Sequence, residues 1–143
     1  LFRSKEFFNG LYIYNKWNFE KYPVILIDFN TISKENSDIL KESLMLKLEE
    51  HANNYDVEIR YNVLKNSFSE LINNLYAKYQ KEVAVLIDEY DKAILDHIGL
   101  GEDRKKIAYA NRDVLKEFFG VLKGDDVVDK LKFVFVTGVS RFT

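Results

Sequence analysis

The chain has 143 residues, 47% hydrophobic and 15% aromatic, with 21 basic and 23 acidic side chains interspersed for a net charge of −2. That length suits one domain, since a chain of about 150 residues buries roughly 70% of its unfolded surface, and the composition excludes a disordered chain and a basic field of the kind duplex DNA needs. The lack of cysteine excludes disulfides and thiolate metal sites, and no apolar run approaches the ~20 residues of a membrane span.

Ser4 caps an expected helical turn over 5–8, with Gly10 as its stop. An irregular aromatic stretch with Tyr12, Tyr14, Trp17 and Phe19 is expected to fold onto the core. "PVILIDFN", 23–30, is a continuous apolar run of strand length that Pro23 can begin. Unalternated runs of this kind predict burial on both faces, as in a parallel sheet. A helical period over 36–55 places Ile39, Leu40, Leu44, Leu46 and Leu48 mostly on one side. An extended piece is expected at 57–61. A second helix over 66–80 shows the capping-box spacing of Ser67 and Glu70, with Phe68, Leu71, Ile72, Leu75 and Tyr79 inward.

"VAVLIDEYDKAI", 83–94, reads as a second buried strand that ends on adjacent acids. A short helical segment near 91–98 stops at Gly99 and Gly101, and a long helix over about 104–122 turns Val114, Leu115, Phe118, Phe119 and Leu122 inward. "LKFVFVTGVS", 131–140, reads as a third buried strand ending in a small polar cluster. Strands alternating with helices predict right-handed crossovers and a parallel sheet.

Ligands of open parallel sheets sit outside the carboxyl ends of the strands. Asp28, Asp88 with Glu89, and Thr137 with Ser140 fall at such ends. An Asp there can help hold Mg²⁺, directly or through water. The adjacent Glu can polarise a water for attack on a terminal phosphate. A Thr or Ser on the adjoining strand can report on that phosphate by a hydrogen bond. The same acids are also accounted for by a strand that simply surfaces, or by Asp88 capping the next helix. Asp91 and Lys92 read as an exposed helix start. His51 and His97 are isolated and show no metal-ligand spacing.

"YPVILIDF", "VAVLIDEYDKAI", "LKEFFGVLK" and "LKFVFVTGVSRF", in this order and spacing, resemble the AAA-ATPase-like family of bacterial and archaeal P-loop proteins. That family often carries a C-terminal nuclease-like domain of the PD-(D/E)XK class. The resemblance covers nearly all of 1–143, starting near "FFNGLYI". It departs from the family pattern at Ala93, where proline is usual, and at Arg141, where lysine is frequent. It implies an α/β three-layer sandwich of P-loop NTPase type, with the 83–88 strand between the other two. It also implies Asp88 as a Walker B Mg²⁺ residue, Glu89 as base, Thr137 as sensor, Ser140 and Arg141 as lesser site residues, and Asp28 as support from the next strand.

A P-loop needs G-x-x-x-x-G-K-[ST]. None of the six glycines, at 10, 99, 101, 120, 124 and 138, begins that pattern. In the family the loop lies upstream of the region matching Leu1, so the chain reads as the Walker B and sensor part of a longer protein. Mg²⁺ and ATP are expected in the intact parent and neither tightly on the fragment, which is expected to be inactive alone. Its strand at 133–137 is expected to support self-association. Nucleic acid enters only through a nuclease-like domain outside the chain, no membrane is involved, and the location is expected to be cytoplasmic. Two alternatives stay open. One is a non-catalytic interaction or regulatory module with an ATPase-like fold. The other is a Mg²⁺-dependent nuclease, which wants an acid-x-Lys triplet on a strand where "DEYDK" sets Lys92 directly after Asp91.

Overall fold

The structure, a computed structural model, describes residues 9–11 and 20–139. The expected turn at 5–8, the aromatic positions 12, 14, 17 and 19, and Ser140 and Arg141 lie outside the described residues. Three apolar runs form strands: β1 (Val24–Asp28), β2 (Val83–Asp88) and β3 (Leu131–Val136). They pair in parallel in the order β1-β2-β3. Parallel neighbours need long crossovers. Helices α1 (Ser37–Asn54) and α2 (Leu64–Tyr79) supply the first, and α3 (Lys92–Leu95) and α4 (Glu102–Gly120) the second. The chain is thus an α/β sandwich of partial P-loop type, with the acid-bearing strand in the centre of its sheet as expected.

The register brings the strand ends level. Asp28 is opposite Asp88, and Ile87 is opposite Val136. The β2–β3 ladder slips once, because Val83 faces Leu131 while Ala84 faces Phe133. Side chains alternate along a strand, so Ile25 and Ile27 share a face with Val85 and Ile87. On that face they form one buried cluster with Leu40, Leu44 and Leu48 of α1, Phe68, Leu71, Ile72 and Leu75 of α2, and Leu115 and Phe118 of α4. The i, i+4 spacing of the α1 leucines gives a stripe aimed at the sheet. Leu46, two positions off that stripe, is exposed, which corrects its expected inward placement. Asn36 caps α1 by accepting the Asp38 and Ile39 amides.

Ser67 and Glu70 do not cap α2, which starts at Leu64 after Val63. They fasten the preceding segment instead. The Ser67 hydroxyl donates to the Tyr61 carbonyl, and Glu70 accepts the Arg60 and Tyr61 amides and the Arg60 guanidinium. Burial pushes the Glu70 carboxyl up, but these hydrogen bonds outweigh it and hold the group below its ordinary value. No strand forms at 57–61; the Arg60 and Tyr61 amides go to Glu70, and the Val57 amide goes to the Ala52 carbonyl.

Only β2 meets the expectation of burial on both faces. Leu26 of β1 is exposed, and Phe133, Val134, Phe135 and Val136 of β3 are 39–60% exposed. The reason is cover: the buried cluster takes in residues of β1 and β2 but reaches only Leu131 of β3. No helix among the described residues is long and apolar enough to cross a membrane.

Both histidines are fasteners. His51 Nε2 donates to the Leu26 carbonyl at 2.8 Å. His97 Nδ1 accepts the Arg104 Nε–H at 2.9 Å, so its Nε2 carries the proton given to the Lys34 carbonyl at 2.7 Å. Asn111, buried in α4, donates to that same carbonyl and to that of Ala93. The loop after β1 is thereby pinned to α3 and α4.

Candidate functional site

The three strands run the same way, so their C-terminal ends form one polar edge. Backbone bonds lock this edge together. The Phe29 amide donates to the Asp88 carbonyl at 3.0 Å, Thr137 to Ile87 at 2.8 Å, and Tyr90 to Thr137 at 3.2 Å. Asp88 and Thr137 are thus level across the β2–β3 junction, and their side chains meet. The Thr137 hydroxyl donates to Asp88 Oδ1 and accepts the Glu89 amide at 3.1 Å. A hydroxyl has one proton to give. Thr137 therefore spends its donor on Asp88 and spends a lone pair on the main chain of Glu89.

Glu89 has a left-handed backbone, φ 53°. Such a conformation costs a non-glycine residue on the order of 1–3 kcal/mol and persists only where the surroundings over-determine it. Here the fixing contacts are the Glu89 and Tyr90 amides bound to Thr137. The kink sends the two adjacent acids apart: Asp88 stays in the strand's alternation, while the Glu89 carboxylate turns out beside Lys92 Nζ, 3.9 Å away. Lys92 begins α3 and does not lie on a strand.

Asp28 sits opposite Asp88, yet its contacts are local. Its Oδ1 accepts the amide and the side-chain nitrogen of Asn30, and its carbonyl accepts from Thr31. It shapes the turn after β1. Asp88 does not cap α3; the residue at the N-cap is Asp91.

Asp91 departs most from the sequence reading. It is fully buried, not an exposed helix start, and its carboxylate accepts the Val139 amide at 2.9 and 3.1 Å. Gly138 lies directly against it. Neither position was singled out as a site residue from the sequence. No local pattern marks them, because the contact joins residues 48 apart. Among the described residues, no group of three or more His, Cys, Asp or Glu side chains is placed to hold a metal ion.

Set against known proteins, the family described as Predicted AAA-ATPase matches residues 2–143. The chain belongs to that family. A relative from Azotobacter chroococcum mcd 1, described as an uncharacterized protein in the vnfD 5′ region, is 33% identical over 147 residues. The match covers 100% of this chain and 27% of that protein, so the chain spans about a quarter of the relative's length. No solved structure matches. The AAA-ATPase-like membership agrees with the family inferred from the four ordered motifs.

Proposed function

We propose that this chain is the Walker B and sensor part of an ATP-binding, ATP-hydrolysing P-loop domain, completed by sequence upstream of Leu1. The observation that carries the reading is the Thr137 hydroxyl, which joins the Asp88 carboxylate to the Glu89 main chain at the carboxyl edge of the sheet. An adjacent acid pair, split by a kink and touched by a hydroxyl that follows the next strand, matches the needs of phosphoanhydride hydrolysis.

Mg²⁺ keeps several waters and takes one or two carboxylates together with substrate phosphates. The donor set fits that habit: Asp88 is exposed, and one of its oxygens is committed to Thr137. Asp88 would hold the ion through water, and the bound ion and nucleotide would supply an activated terminal phosphate. Glu89 would take the proton of the attacking water. Thr137 would report on the phosphate, and to donate to it the hydroxyl must let go of Asp88, since both compete for one proton. Ser140 and Arg141 remain lesser candidates.

The test is nucleotide binding by the full-length protein with and without Mg²⁺. Asp88→Asn is expected to lower the Mg²⁺-dependent affinity about 10–100-fold, the usual effect of losing an outer-shell metal partner. An unaltered Mg²⁺ dependence removes Asp88 from this role. Binding without turnover in the unmodified protein would favour the regulatory module instead.

The partner we propose for the isolated chain is a second copy, paired through 133–137. Phe133 to Val136 are apolar, exposed and uncharged, so a second copy matches them residue for residue in character. Sedimentation velocity is expected to show concentration-dependent association. A monomer throughout the concentration series overturns it.

A further inference from the structure

We infer that Asp91 is a positioning residue for the sensor: its carboxylate grips the backbone two residues beyond Thr137 and so sets where the Thr137 hydroxyl points. The inference rests on the roles proposed above for Thr137 and Glu89.

A carboxylate removed from water needs strong hydrogen bonds in return. Asp91 is 0% exposed, and both its oxygens accept the Val139 amide. Its main-chain carbonyl meanwhile accepts the Ile94 and Leu95 amides at 3.0 and 2.8 Å, opening α3. One residue thus ties the start of α3 to the turn that follows β3. Thr137 lies between two anchors. Its own peptide is held by Ile87 and Tyr90, and the peptide of Val139 is held by Asp91.

Gly138 is what lets the grip close. A Cβ there would stand 2.9 Å from Asp91 Oδ2, 3.2 Å from Cγ and 3.4 Å from Oδ1. Gly138 does not have a left-handed φ, so its backbone would accept alanine. The three atoms nearest to that position all belong to the Asp91 carboxylate. Gly138→Ala is therefore a steric probe of the grip, free of backbone strain. Gly120, in α4, has nothing within 4 Å of its Cβ position and serves as the control.

In the full-length protein, Asp91→Ala and Gly138→Ala are each expected to lower kcat for ATP hydrolysis by roughly 10–100-fold, the scale of a misplaced catalytic group. The KM for ATP should change less than about twofold, since Thr137 acts after binding. Asp91→Asn keeps a carbonyl acceptor for the Val139 amide and should retain most of kcat. Gly120→Ala should change neither constant. The double variant Asp91→Ala/Gly138→Ala should lose no more than the worse single variant, because both act through one contact. Losses that multiply in the double variant, a rise in KM at constant kcat, or failure of Asp91→Asn to rescue would overturn the inference.

A second readout needs no turnover and separates this inference from the reading beneath it. In the isolated chain, Asp91→Ala or Gly138→Ala should speed hydrogen exchange at the amides of Val139, Glu89 and Tyr90 together, while Val85 in the sheet stays protected. Should the unmodified full-length protein hydrolyse no ATP while these three amides respond together, the proposed function fails and the grip on Thr137 stands. Should only Val139 respond, Asp91 holds its own turn and does not position Thr137.

Discussion

Replacing Glu89 by glutamine is expected to lower ATP hydrolysis by the full-length protein about 10²-fold or more while nucleotide binding stays largely intact. A positioned general base contributes typically 10²–10⁴-fold, and the lower figure is ~2.7 kcal/mol of barrier at 1.36 kcal/mol per factor of ten. The substitution is clean for a structural reason. The bond from position 89 to Thr137 uses the main-chain amide, which glutamine keeps. The left-handed kink is likewise a property of the backbone and its anchors. What the variant loses is the carboxylate and its 3.9 Å approach to Lys92. That pair is partly exposed and contributes little to stability, so the fold should be unaffected. Single-turnover hydrolysis beside a binding titration is the measurement. Normal turnover in Glu89→Gln would remove Glu89 as the base.

The second large effect concerns the core. Phe118→Ala is expected to destabilise the chain by about 3–5 kcal/mol, the usual range for truncating a buried aromatic. Phe118 has no exposed surface. Its ring stacks on Phe68 with centroids 4.3 Å apart and planes 13° apart, and it meets Phe119 at 5.8 Å. It is therefore the contact through which α4 grips α2, and alanine would leave a cavity between two helices that each also pack elsewhere. Domains of this kind have only about 5–15 kcal/mol in total, so the loss is a large share of the whole. Urea unfolding should show a lower midpoint with an unchanged slope. A loss under ~1 kcal/mol would mean that the helices close over the gap.

Much of the fold was legible because it is written in local pattern. The runs at 24–28 and 83–88 are strands because an apolar stretch of that length bounded by polar residues has few other uses. The helices followed from their stripes, and the placing of Asp88, Glu89 and Thr137 on one edge followed from parallel strands ending together. The central position of β2 came from the family resemblance and not from the residues alone. The misreadings share a cause, which is that partner choice is not local. Ser67 and Glu70 have capping spacing, but the amides they reach lie upstream at Arg60 and Tyr61. Phe133 to Val136 has the composition of a core strand, yet burial depends on what lies beside it. Asp91 has the look of any acid at a helix start, and its pairing with Val139 reaches across 48 residues, where no local pattern shows it.

The conformation of Glu89 also bears on how this family can diverge. At φ 53° an L-residue is held against its own preference, and glycine or asparagine would rest there more comfortably. Under the base role proposed for Glu89, mutational drift at position 89 thus has a built-in direction, opposed by the need for a carboxylate. In lineages where turnover no longer matters, this position is expected to slide to glycine or asparagine before the apolar residues of β2 change. A relative with an intact strand and Gly or Asn at this place would then be a descendant that kept the scaffold and abandoned the chemistry, and an assay of its turnover would check that reading.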